Sequence, residues 1–166
     1  MAKKVLTIMF ALLFLVMGYT TLQAKEGEAE DVPLITQSFA SKQMRGGDTW
    51  MVYLKSSDPN GQMKNIFAEV FQPGVGSTLG ITRIKKENQK EFSGYVYLNT
   101  LTGGRALNFS NLTLTIWIQD RSGNFSNPVV FPLEFNRRYT QQAPPVGVFE
   151  GKDLGPIMVT LGFIGA

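Results

Sequence analysis

Leu112–Asn127 reads LTLTIWIQDRSGNFSN, and its alternation decides the fold. Leu112, Leu114, Ile116 and Ile118 fall on one side of a two-residue repeat, with Thr113, Thr115, Trp117 and Gln119 on the other. That is the pattern of an extended strand with a core side and an outer side. Asp120-Arg-Ser-Gly-Asn124 ends it, because Gly123 and Asn124 tolerate positive φ while Asp120 and Ser122 can hydrogen-bond their own backbone. A second strand is expected over Val129–Phe135, with Phe131, Leu133 and Phe135 inward. The two form a β-hairpin from the middle of a sandwich.

Upstream the same pattern recurs. Leu34–Ala40 reads as a first edge strand, and Arg45-Gly-Gly-Asp48 turns the chain. Trp50, Val52 and Leu54 then alternate with Met51, Tyr53 and Lys55. Ser56–Gly61 is a dense turn signal. In the next strand Ile66, Ala68 and Val70 point inward and Phe67, Glu69 and Phe71 outward, until Pro73-Gly-Val-Gly76 breaks it. Residues 79–85 form a weaker strand, Glu87–Lys90 a polar corner, and Phe92–Leu98 a strand with Val96 and Leu98 inward. Thr102-Gly-Gly-Arg105 leads back to the central hairpin. About seven short strands, turn residues between them and no helical periodicity predict an all-β, antiparallel sandwich over residues 34–140.

The two ends differ in character. Lys3 and Lys4 precede an apolar run from Val5 to Tyr19, and a more polar stretch ends in Ala24, the layout of a secretory signal peptide over residues 1–24. Cleavage after Ala24 is expected, with retention as an uncleaved anchor the alternative. No Cys is available for lipid attachment. Residues 25–33, KEGEAEDVP, read as an acidic flexible leader. Beyond Tyr139, Gln141–Pro145 is a stiff connector, and residues 141–166 form a C-terminal extension of apolar pieces expected to pack on the sandwich as one or two extra strands.

Removing residues 1–24 leaves 142 residues, enough for one self-supporting domain. With no Cys there are no disulfides, which suits a bacterial periplasm or secreted location. Asn108-Phe-Ser110, Asn111-Leu-Thr113 and Asn124-Phe-Ser126 matter only in a eukaryotic secretory route. The formal +3 falls with Lys3 and Lys4 to 14 basic against 13 acidic residues, so no broad basic field is expected and nucleic acid is an unsuitable partner. The chain has no His, the usual general base and transition-metal ligand.

Asp58-Pro-Asn-Gly61 after an early strand, paired with Asp120-Arg-Ser-Gly-Asn-Phe-Ser126 after a late one, resembles the immunoglobulin-like and fibronectin-III-like sandwich modules of bacterial exported proteins. The resemblance covers roughly residues 34–136 and implies fold more than activity. The antibody-type Cys pair is missing, which restricts the likeness to the broad sandwich class. In that class the third and sixth strands are neighbours. The resemblance therefore implies that Phe67, Phe71 and Trp117 share one outer surface, a candidate contact site because large apolar patches are uncommon on soluble monomers.

Three readings of that surface compete: cover by the C-terminal segment through Val146, Val148, Phe149, Ile157, Val159 and Leu161; a docked protein partner in the cell envelope; or a sugar platform like those of carbohydrate-binding modules. Tyr53, Tyr95 and Tyr97 face outward on the other sheet and receive no role. Asp58, Asn60, Asp120 and Asn124 are oxygen donors at turns, so Ca²⁺ is weighed against plain turn formation, and turn formation is preferred. Glu69, Glu134 and Asp120 form no evident catalytic pair, and Ser110, Ser122 and Ser126 have no His partner. No catalytic residue, cofactor or metal is assigned. The expectation is a non-catalytic interaction or structural module, with a carbohydrate-binding module as the alternative and the oligomeric state open.

Overall fold

The structure, a computed structural model, describes residues 31–101, 107 and 110–162. Residues 1–24, expected to be a signal peptide, leader residues 25–30 and the expected turn at residues 102–105 lie outside the described residues. Among those described, nine strands follow one another: β1 (Leu34–Ala40), β2 (Gln43–Met44), β3 (Thr49–Ser57), β4 (Met63–Gln72), β5 (Gly76–Arg83), β6 (Glu91–Asn99), β7 (Asn111–Asp120), β8 (Val129–Phe135) and β9 (Asp153–Pro156). A 3-10 turn, Lys86–Asn88, sits between β5 and β6. None of the described helices is long and apolar enough to cross a membrane.

The strands form a four-stranded sheet, β1-β3-β6-β9, and a five-stranded sheet, β2-β8-β7-β4-β5. Alternation puts aliphatic side chains between them. Leu112, Leu114, Ile116 and Ile118 of β7 are buried, as are Ile66, Ala68 and Val70 of β4 and Phe131, Leu133 and Phe135 of β8. From the other sheet come Trp50, Val52 and Leu54 of β3 and Val96 and Leu98 of β6. Trp50 is fully enclosed, and its indole N–H donates to the Ser41 carbonyl at 2.9 Å, which satisfies its one polar atom.

The sheets are not purely antiparallel, contrary to the sequence expectation. β2 runs parallel to β8 and β9 parallel to β6, while every other pairing is antiparallel. Neither parallel strand is reached through a hairpin, which would force the antiparallel sense. After Ala40 the chain leaves β3 and crosses to the edge of the other sheet, where β2 pairs over only two residues. Residues 136–152 carry the chain from β8 round to the free edge of β6.

That route decides what the tail covers. Gln141 stands in for the neighbour that β3 lacks beyond the end of β1: its side-chain amide accepts from the Met51 N–H at 3.1 Å and donates to the Thr49 carbonyl at 2.6 Å. Phe149 then lies on Tyr53, ring centroids 5.7 Å apart, beside the Tyr53–Tyr95 and Tyr95–Tyr97 contacts. Leu154, Ile157 and Leu161 turn into the core at the open side of the sandwich, between β6 and β5. The Ile157 N–H donates to the Tyr97 carbonyl and the Thr82 hydroxyl to the Pro156 carbonyl, so the tail bridges the two sheets. Pro33, assigned to the leader from sequence, is buried, and the fold therefore begins slightly before β1.

Candidate interaction surface

On the outer side of the five-stranded sheet, register arranges side chains in rows across β5, β4 and β7. Arg83, Asn65 and Gln119 make the first row; Ile81, Phe67 and Trp117 the second; Leu79, Glu69 and Thr115 the third; Ser77, Phe71 and Thr113 the fourth. Val130 of β8 extends the third row and Pro132 the fourth. Phe67 and Trp117 are direct cross-strand partners, their rings stacked with centroids 6.0 Å apart and planes 3° from parallel. Phe125, just beyond the Asp120 turn and bridged to Gln119, meets Phe67 edge-on at 5.8 Å.

The three residues picked from the sequence thus lie on one face, but not as one cluster. Phe67 and Trp117 touch, whereas Phe71 lies two rows away, separated from Phe67 by Glu69. The surface is also wider than the sequence reading made it. Phe71, Leu79, Ile81, Phe125 and Val130 are each 48% to 58% exposed, in line with the half-buried Phe67–Trp117 pair.

Leu79 and Ile81 were missed because β5 reverses the usual rule. Its inward positions are Gly80 and Thr82, opposite Ala68 and Ile66, and its apolar residues point out. The inward side needs small residues because the tail packs there: a Cβ on Gly80 would stand 3.0 Å from Val159 Cγ1. The alternation of Leu79 and Ile81 with Gly80 and Thr82 was the available signal.

Among the described residues, the C-terminal segment does not cover this face. Leu154, Ile157 and Leu161 fill the side of the sandwich, Val146 and Met158 are exposed, and the ring of Phe149 packs on Tyr53 of the opposite sheet. A connector of residues 136–152 that must reach the edge of β6 passes the four-stranded sheet.

The turn oxygens weighed for calcium are committed to backbone. Asp58 is buried, and its two carboxylate oxygens accept from the Asn60 and Gln62 N–H groups at 2.9 and 2.8 Å. Asp120 accepts from the Asn124 N–H at 2.8 Å and from the Asn124 side-chain amide at 3.0 Å. Among the described residues no three His, Cys, Asp or Glu side chains are grouped to hold a metal ion.

Three of the remaining polar candidates bond within the fold. The Ser126 hydroxyl accepts from the Ile118 N–H and donates to the Asn127 carbonyl, and the Ser110 hydroxyl donates to the Leu107 carbonyl. Glu134 accepts from the Gln43 amide at 3.1 Å. Cations, by contrast, gather at and beyond the first row: Lys64, Arg83, Lys85, Lys86 and Arg121 surround one corner of the sheet. The near-neutral total hides this local field, which the sequence reading did not anticipate. A comparison with models of protein families gives no match, and neither does a search of curated proteins.

Proposed function

We propose that this chain is a non-catalytic interaction module, exported to a bacterial cell envelope, that binds a protein partner through the outer face of its five-stranded sheet. The observation that carries the reading is the run of exposed Phe71, Leu79, Ile81, Phe125 and Val130 around the Phe67–Trp117 stack. Apolar patches of this extent on a soluble domain mark contact sites more often than idle surface, and aromatic side chains are the usual anchors of such sites.

Export is supported by Lys3 and Lys4, the apolar run Val5–Tyr19 and Ala24. An immunoglobulin-type module is supported by the strand order. β1-β3-β6 corresponds to strands A, B and E, and β8-β7-β4-β5 to G, F, C and C′, with β9 taking the edge beside E that strand D occupies in the constant-type domain. In that scheme the outer G-F-C face is the one bearing Trp117 and Phe67.

Trp117→Ala tests the reading. Its ring is half-buried and outside the core, so the substitution should cost ~2–3 kcal/mol of stability, the aromatic pair plus the lost partial burial. Capture of an envelope protein by the purified chain should nevertheless drop at least tenfold. A variant that loses stability heavily while capturing its partner as before would mean that Trp117 serves packing alone.

A further inference from the structure

The outer face changes character in steps along the strands. At one end Lys64, Arg83, Lys85, Lys86 and Arg121 line two adjoining depressions of 290 and 460 Å³, which share Arg83, Gln89 and Arg121. No acidic side chain lines either one. The Arg121 guanidinium donates to the Gln89 side-chain oxygen at 3.0 Å, which fixes its fork beside Arg83. The next row inward is apolar, Ile81, Phe67 and Trp117. The one after carries Glu69 between Leu79 and Thr115. Cation, aromatic and anion therefore succeed one another at every second residue, a step of about 7 Å along a strand.

We propose that this face takes an extended protein segment whose side chains run acidic, apolar and basic at alternate positions. The acid meets Arg83 and Arg121, an aromatic or branched aliphatic residue lies on the Ile81–Phe67–Trp117 row, and a Lys or Arg meets Glu69. The inference rests on the face being a protein contact surface and adds the charge pattern of the partner. Glu69 chooses among occupants. An anionic membrane would bury its carboxylate against lipid without a partner, and an acidic polymer would be repelled by it. A protein segment can place a cation there. Arginine at the basic end suits carboxylates, which its planar fork holds through two hydrogen bonds.

The test uses the purified chain and the synthetic peptide Gly-Ser-Glu-Ser-Trp-Ser-Lys-Ser-Gly, with binding read from backbone amide shifts. The expected result is shifts confined to β4, β5 and β7, and affinity reduced tenfold or more by Arg83→Glu or by Glu69→Lys. A peptide with Lys in place of its Glu should bind the Arg83→Glu variant better than the unaltered protein. Equal binding of both peptides to the unaltered protein would overturn the charge pattern. So would the same amide shifts appearing with phosphatidylglycerol vesicles or dextran sulfate but not with the peptide. If charge reversal has no effect while Trp117→Ala still abolishes partner capture, the pattern fails and the contact surface stands. If Trp117→Ala is also silent, both fail.

Discussion

Trp50→Ala should remove ~3–5 kcal/mol of stability, the usual cost of truncating a buried aromatic residue. Trp50 is the largest of the fully buried side chains, and it reaches from β3 to the segment where the chain changes sheets. Its loss leaves a cavity and also takes the donor from the Ser41 carbonyl, two costs that add. Set against a typical domain stability of ~5–15 kcal/mol, the loss is between about a fifth and all of the total. Urea denaturation would measure this. Trp50→Phe, which keeps most of the volume and loses only the hydrogen bond, should fall between. A loss under ~1 kcal/mol for Trp50→Ala would mean that the core closes without this ring.

The second large effect is expected at Gly94. This residue faces inward on β6 beside β9, and a Cβ added there would collide with the Lys152 carbonyl oxygen while standing 3.1 Å from Leu154 Cγ. The Tyr95 N–H donates to that same Lys152 carbonyl at 2.9 Å, so the tail cannot retreat without breaking the pairing that seats it. Gly94→Ala should cost ~1–3 kcal/mol by overpacking and make residues 143–162 sensitive to protease. Removing everything after Gln142 should be worse. It uncovers the free edge of β6 and withdraws Leu154, Ile157 and Leu161, each contributing ~1.5–3 kcal/mol of burial before the entropy of ordering the tail is deducted. Aggregation or a much lower melting temperature is the expected outcome. Unchanged protease resistance in Gly94→Ala, together with an unchanged melting temperature in the truncation, would show that the tail is dispensable.

The sequence made the core legible where a strand separates two environments. Leu112, Leu114, Ile116 and Ile118 go between the sheets and Trp117 to the outside because a strand with a two-residue period offers no third choice. The same logic placed Trp50, Val52 and Leu54, whereas the adjacency of the strands bearing Phe67 and Trp117 was implied by the resemblance to immunoglobulin-like sandwiches and not by the period. It was silent where apolar residues lack a period. Val146–Leu161 mixes Gly, Pro and aliphatics, and nothing local tells whether such a segment covers a face or fills an edge. The structure makes the choice through close approach at Gly80 and Gly94, small residues whose role depends on a partner far away in the chain. Summed charge likewise erased the cluster of Lys64, Arg83, Lys85, Lys86 and Arg121, which three separate chain segments bring together. β2 escaped notice because it is two residues long, too short for alternation to register, and the strand expected within residues 141–166 could not be placed because β9 has only four residues.

A photo-reactive residue placed at Leu79, on the outer side of β5, and another at Met51, on the outer side of β3, would test the central claim most directly, since both side chains are exposed but on opposite faces. Irradiation of intact cells should yield a discrete protein adduct from position 79 and none from position 51. Adducts of the same kind and yield from both positions, or from position 51 alone, would contradict the assignment of the aromatic face as the contact surface.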